Sequence, residues 1–245
     1  MSEFAYPALT VLLGYVVLGI TGFGSALVIV PLLSWQWPLT EVVALALLLD
    51  VPASLLQAGL NFKNVARSEL QRLLPGVLAG ALLGLWLSGV LAPQWPLLAL
   101  GLYISAVGAM TLRPRVAQQP IATAAWSPGA GLLIGLIEML FGTAGPVVAV
   151  WLSRRLSHIA ALRATIPLVI AVAACTVLLA MGLSGRLSHA VLWQRWAVLL
   201  CVALLGVAIG HRLTRRLTPE RVKKIIGFLL VLSGISLALH SIFKR

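Results

Sequence analysis

Two short stretches, about 120 positions apart, carry the residue types from which an anion site can be built. Gly22-Phe23-Gly24-Ser25 and Gly142-Thr143-Ala144-Gly145-Pro146 each interrupt an apolar run with small residues. Gly22, Gly24, Gly142 and Gly145 permit backbone geometry that a side chain opposes, and Pro146 suits the first turn of a helix beginning after the break. A helix that starts at such a break presents unpaired N–H groups at its N-terminus, and its dipole adds to their attraction for negative charge. Ser25 and Thr143 contribute hydroxyl donors. Two such tips brought together would make a largely neutral cradle for a small anion, with all six of these glycine and hydroxyl residues as its lining.

The elements that must position these tips are apolar and long. The 245-residue chain is 60% hydrophobic and 10% charged, against roughly 25% charged for a soluble globular domain. Runs of spanning length fall at about 8–33, 42–60, 73–91, 96–112, 129–152, 164–183, 192–210 and 225–243. A bilayer core of about 30 Å needs about 20 apolar residues per helix. Little chain is left over, so residues 1–245 read as one transmembrane domain, multi-pass and all-α. Met1-Ser2-Glu3-Phe4 brings no Lys or Arg before the first run, so that segment is expected to stay in the mature protein. The formal charge of +12 raises nucleic acid as a partner. Its cations, however, sit in short loops between apolar runs, where topology and anionic lipid account for them. The expected partners are the bilayer and a small anion, not nucleic acid, and homo-oligomerisation is left open. Cys175 and Cys201 fall inside apolar runs and read as helix-packing residues.

Two acids fall at membrane depth, where a carboxylate is costly and marks function by default. Glu138 lies four residues before Gly142. It is a candidate for exchanging a proton with the site, the alternatives being a protonated strut or a cap on nearby backbone. Asp50, in Leu49-Asp50-Val51-Pro52, has no break beside it in sequence. It reads first as a structural bond near a Pro52 kink and second as a proton-coupling group. Arg163 sits where a basic loop enters a helix, placed either to receive an anion at the inner mouth or to anchor topology. Gly80, Gly84, Gly101, Gly108, Gly131 and Gly135 read as small residues for close helix packing. The histidines show no metal-ligand spacing, and no Ser-His-Asp set, catalytic carboxylate pair, P-loop or CxxC is present. No metal, no cofactor and no enzymatic activity are expected.

Matching breaks at matching places are the signature of a duplicated secondary transporter. Pro93, Gly101 and Gly108 are also spaced like Pro219, Gly227 and Gly234. If every run crosses the membrane, the 18 cations divide 9 against 9; if 129–152 enters and leaves on one side, they divide 14 against 4. Cytoplasmic loops should hold the excess, which favours a hairpin at 129–152. For 8–33 the charge count is silent, because no cation precedes it; repeat equivalence predicts the same hairpin from the opposite face. The expected fold is two inverted repeats, 1–115 and 127–245, each a re-entrant, glycine-broken helical hairpin plus three transmembrane helices. Trp35, Trp37 and Trp95, in cation-free loops, suit the outer interface.

The break motifs resemble those of the TauE/SafE sulfite exporter family of membrane permeases. Gly19-Ile20-Thr21-Gly22-Phe23-Gly24-Ser25-Ala26 with Pro31-Leu32 is similar to the first signature, and Gly142-Thr143-Ala144-Gly145-Pro146 to the second. Arg163-Ala164-Thr165, and Gly206–Gly210 followed by Leu217-Thr218-Pro219, look like that family's second half. Ser25-Ala26 and Ala144 replace glycines of the commonest pattern, and Trp151 stands where proline is usual. The resemblance implies a bacterial inner-membrane secondary transporter of a small anion. Sulfite, sulfoacetate or another organosulfonate is implied as substrate, with export as its direction and proton coupling as an option. A channel-like passive anion pore and a permease for a small carboxylate are the alternatives.

Overall fold

The computed structural model describes residues 2–59, 64–92, 94–112, 123–214, 227–228 and 230–238. Nine helices with defined ends follow one another: α1 (Ser2–Thr21), α2 (Ser25–Leu33), α3 (Leu39–Gly59), α4 (Arg67–Val90), α5 (Gln94–Leu112), α6 (Ser127–Phe141), α7 (Gly145–Ser153), α8 (Ile159–Leu183) and α9 (Ala190–Thr214). Residues 227–228 and 230–238 are also helical, and no strand occurs among the described residues. Seven helices (α1, α3, α4, α5, α6 with the short turn before it, α8 and α9) are long and apolar enough to cross a membrane. The other two, α2 and α7, have nine residues each. At 1.5 Å per residue they are about 13 Å long, less than half a bilayer core.

The two breaks divide the work among their glycines. Gly22 (φ 89°), Gly24 (φ 97°) and Gly142 (φ 65°) adopt the left-handed conformation that a Cβ disfavours. Gly145 is already helical, and its requirement is space: a Cβ there would lie 3.1 Å from the Cβ of Phe23. The first break is also tied from within. Gly22 N–H donates to Leu18 O at 2.7 Å, Gln57 Nε2 donates to the same carbonyl at 2.9 Å, and the Thr21 hydroxyl bonds Val17 O and Phe23 O. These bonds satisfy carbonyls that the end of α1 would otherwise leave open.

Beyond the first break the chain turns back, so that α2 runs beside α1. Tyr6 hydroxyl donates to Leu32 O at 2.9 Å, and a Cβ on Gly14 would meet Ser25 O at 2.9 Å. Eight of the nine residues of α2 are buried, which fits a helix apolar on all sides. Beyond the second break, Arg155 reaches Glu69 in the first turn of α4, with Nη2–Oε1 at 2.6 Å and Nε–Oε2 at 3.2 Å. This double bond raises the Arg155 pKa above its ordinary value.

Glycine stripes set the close contacts. α4 and α6 lie parallel, with Gly76 against Pro128, Gly80 against Leu132 and Gly84 against Met139; Gly131 and Gly135 return the contact from α6 against Leu73 and Val77. α1 lies parallel to α9, with Gly206 against Leu12 and Tyr15, and Gly210 against Val16. Gly101 and Gly108 of α5 pack on Gly234 and Val231. The small residues expected at helix contacts are therefore at helix contacts. Cys175 and Cys201 are not: both lie on exposed faces, since α8 and α9 turn other sides toward their neighbours.

Polar links fix how the long helices run. Ala66 N–H donates to Thr165 Oγ1 at 3.0 Å, and Arg186 donates to Ser88 Oγ at 2.7 Å, so α4 and α8 match start with start and end with end. Arg195, near the start of α9, donates to Glu41 at 3.0 Å and sits 3.9 Å over the Trp37 ring. Trp196 Nε1 donates to Leu48 O at 3.0 Å. α3 and α9 therefore start at one end of the bundle, where α2 also finishes. Lys63, Arg113, Arg115 and the basic residues from Arg215 to Lys224, on which much of the charge count rests, lie outside the described residues.

Candidate functional site

The N-terminus of α2 begins with a glycine that offers no side-chain cap. Ser25, the first residue of the helix, turns its hydroxyl to Asp50, donating to Oδ1 at 2.6 Å. Tyr15 of α1 donates to the same oxygen at 2.7 Å. Asp50 thus belongs to the first break in space, although 25 positions separate it from Ser25. The bond expected of Asp50 has its partners on α1 and at the α2 tip.

At the second break, Gly142 N–H donates to Glu138 O at 2.8 Å, closing α6. The Glu138 side chain then bends forward, and its Oε2 accepts the Ala144 N–H at 2.6 Å. Ala144 is the residue from which α7 starts, so the carboxylate caps that helix. Tyr103 of α5 donates to Thr143 O at 3.0 Å and stacks on Phe141 with ring centroids 6.0 Å apart. Glu138 Oε1, Thr143 Oγ1 and Trp151 Nε1 are buried and have no hydrogen-bond partner among the described residues.

The two breaks meet. Phe23 of the first lies against Gly145 of the second. Between the tips is a cavity of about 10 Å³ whose lining includes Gly24, Ser25, Asp50, Glu138, Gly142, Thr143 and Gly145, closed by Leu18 and Ile170. Ser25, Asp50, Glu138 and Thr143 are each at most 3% exposed. A space of that size is about that of one water, so a polyatomic anion requires the tips to part. A second cavity, of about 360 Å³, is apolar and lies between the start of α5 and Leu140-Phe141 at the end of α6. The Phe141–Tyr103 stack stands beside both it and Thr143.

Of the nine residues singled out from sequence, seven line this one cavity. Gly22 does not; it shapes the turn next to it. Arg163 does not either. It is exposed on α8, seven residues and about 10 Å along the helix from Ile170. Ser25 is present but directs its hydroxyl at Asp50. Tyr15, Tyr103, Gln57 and Phe23 were not singled out, though a tyrosine or glutamine within an apolar run must find a partner when buried, and that was the available signal. No cluster of three or more metal-binding side chains occurs among the described residues.

A multi-pass bundle of apolar helices, two of them broken around a common buried polar cavity, is the architecture of a membrane transport protein. A family model, Sulfite exporter TauE/SafE, matches residues 7–237. The chain belongs to that family. It is also 44% identical over 197 residues to "Probable inner membrane transporter protein TsaS" of Comamonas testosteroni, covering 80% of this chain and 82% of that relative. No solved structure matches the chain.

Proposed function

We propose that the protein is a secondary transporter that exports a small anion across the bacterial inner membrane. Its substrate is sulfite, sulfoacetate or another organosulfonate, and its coupling is to protons through Glu138 or Asp50. The observation that carries this reading is the shared cavity, where two helix N-termini from separate parts of the chain converge on one buried point. Backbone N–H groups and a dipole favour an anion at such a tip. Arg163, exposed at the start of α8, serves the inner mouth in this reading. The family and the inner-membrane transporter relative support the reading in its general class.

The proposed architecture is two inverted repeats, residues 1–115 and 127–245, with one re-entrant hairpin each. Several pairings support it. α1 packs on α9 as α6 packs on α4, in parallel and through glycines in both cases. The tail of α2 lies with Trp37 and Arg195 at the end where α3 and α9 start, whereas Arg155 beyond α7 lies where α4 starts, the opposite end. Adding 120 to Gly22, Leu18 and Asp50 gives Gly142, Glu138 and Ile170, and five of these six line the cavity. Each carboxylate then stands at the place that an apolar residue occupies in the other repeat.

The test is flux into proteoliposomes with sulfite, sulfate, sulfoacetate, taurine and short carboxylates offered in turn. Saturable sulfite or sulfonate flux, lost on Ser25→Leu or Thr143→Leu in protein that still folds and inserts, is the expected result. Normal flux from both variants contradicts the cradle. Flux that never proceeds against an anion gradient, with or without proton-motive force, assigns a passive pore instead.

A further inference from the structure

When ionised, Glu138 is itself an anion lodged where the substrate should bind. Its Oε2 holds the Ala144 N–H at 2.6 Å, one of the donors that the α7 tip can offer. The other oxygen, Oε1, is buried and has no partner among the described residues, and the same holds for Thr143 Oγ1 on the same cavity wall. The titratable groups facing this point come from three elements. α3 presents Asp50, α1 presents Tyr15 already donating to Asp50, and α5 presents Tyr103 already donating to Thr143 O. α4 meets this stretch of α6 through Gly84, and α8 through Ile170. Among the described residues, no lysine, arginine or histidine lines the cavity.

From this geometry we infer that Glu138 is a tethered competitor of the substrate, displaced from the α7 tip only by taking up a proton, so that one proton and one anion load together and travel in the same direction. The inference rests on the reading of the cavity as the anion site. With no cation in the lining, a substrate anion beside an ionised Glu138 meets uncompensated repulsion in a low-dielectric space. A proton taken from the side to which the site is open bonds to Oε1, the oxygen without a donor. The carboxyl becomes neutral, Oε2 holds the Ala144 N–H less strongly than the charged carboxylate did, and the new O–H can donate to Thr143 Oγ1 or to the substrate. Asp50 differs: two hydroxyls, from α1 and from the α2 tip, donate to its Oδ1, so it is bonded into the fold and occupies no backbone donor of either helix tip. After release, Glu138 ionises and caps α7 again, which lets the site return empty. A univalent anion carried with one proton moves no net charge, and its net direction follows the product of anion and proton concentrations on the two sides, so export proceeds where the internal excess of anion outweighs an inward proton gradient.

The experiment uses the full chain in proteoliposomes with methanesulfonate, whose own charge is constant between about pH 5.5 and 8.5, a range in which only the protein's groups titrate. Anion uptake and internal pH are recorded together. The expected result is one proton entering with each anion and an apparent affinity falling about tenfold per pH unit on the alkaline side, as linkage to one proton requires. Glu138→Gln should flatten that slope and abolish proton entry with the anion. Anion flux without proton entry in the wild type overturns the inference, as does a wild-type slope in Glu138→Gln. Flux that requires sodium at fixed pH also overturns it. Because the wild-type ratio and slope are measured without any variant, misfolding of Glu138→Gln leaves the test intact. If no anion of the wider panel moves at any pH, the transport reading falls and takes this inference with it.

Discussion

Replacing Gly19 by alanine should force α1 away from α9 just before the first break. A Cβ at Gly19 would lie 2.6 Å from Val207 O, 2.9 Å from Gly210 Cα and 3.0 Å from His211 N. All three are backbone atoms and cannot rotate aside. An ordinary carbon–oxygen contact begins at about 3.3 Å, so the helices must separate by about 0.7 Å. Overpacking costs about 1–3 kcal/mol, and a rigid backbone neighbour puts this case near 3. Alanine's better helix propensity returns about 1 kcal/mol, leaving a net loss of about 2 kcal/mol. In a chain of this size that lowers the unfolding midpoint by roughly 4–8 °C. Gly129, exposed on α6, is the control, because a Cβ there meets nothing within 4 Å. Gly129→Ala should be neutral or stabilising by up to about 1 kcal/mol. Thermal unfolding of the purified variants in detergent reads both signs. If Gly19→Ala melts at or above Gly129→Ala, the α1–α9 contact described here is wrong.

The link between Arg155 and Glu69 offers a second check. Glu69 is 5% exposed at its side chain and Arg155 18%, so removing Arg155 leaves a mostly buried carboxylate that keeps its bond to Arg72. Breaking a fully buried pair costs about 3–5 kcal/mol; the remaining partner and partial hydration reduce this to about 1–2. Arg155→Met should lower the melting midpoint, and Glu69→Gln added to it should recover part of the loss; strict additivity of the two substitutions would show that the pair is not coupled. Topology is tested with single cysteines placed near Trp35 and near Arg155, after the exposed Cys175 and Cys201 are replaced by serine. A membrane-impermeant reagent should label the two positions from opposite sides; labelling from one side contradicts the opposed hairpins.

Much of this architecture can be read before any coordinates, and the limits are physical. Apolar runs broken by glycine clusters mark α1–α2 and α6–α7, because left-handed turns at Gly22, Gly24 and Gly142 demand a residue without a side chain. The stripes at Gly80, Gly84, Gly131 and Gly135 are legible for a similar reason, since only a missing Cβ lets two backbones approach so closely. The course of 8–33 was not legible from charge, because no cation precedes it to weigh one side of the membrane. The turn itself is made at Gly22 and Gly24, and the bond from Tyr6 to Leu32 records that α2 lies back along α1. The partners of Asp50 are not legible, because its donors, Tyr15 and Ser25, lie 35 and 25 positions away, beyond any local pattern. Glu138 shows the converse: its partner Ala144 is six residues off, and the capping role weighed from sequence is the contact it makes. Arg163 illustrates the remaining difficulty. Its motif sits near the break motifs in the resemblance, yet helix rise alone carries it about 10 Å from the cavity.

Whether the two tips touch decides the account most directly. The Cβ of Phe23 lies 3.1 Å from the position a Cβ would take on Gly145, within a few tenths of an ångström of the roughly 3.5–4.5 Å that a disulfide needs. A Phe23→Cys, Gly145→Cys double variant lacking the native cysteines should therefore cross-link in the membrane under mild oxidant and lose transport. Reduction should restore both the free thiols and the flux. No cross-link in protein that folds and inserts would mean that the tips stand apart and share no site.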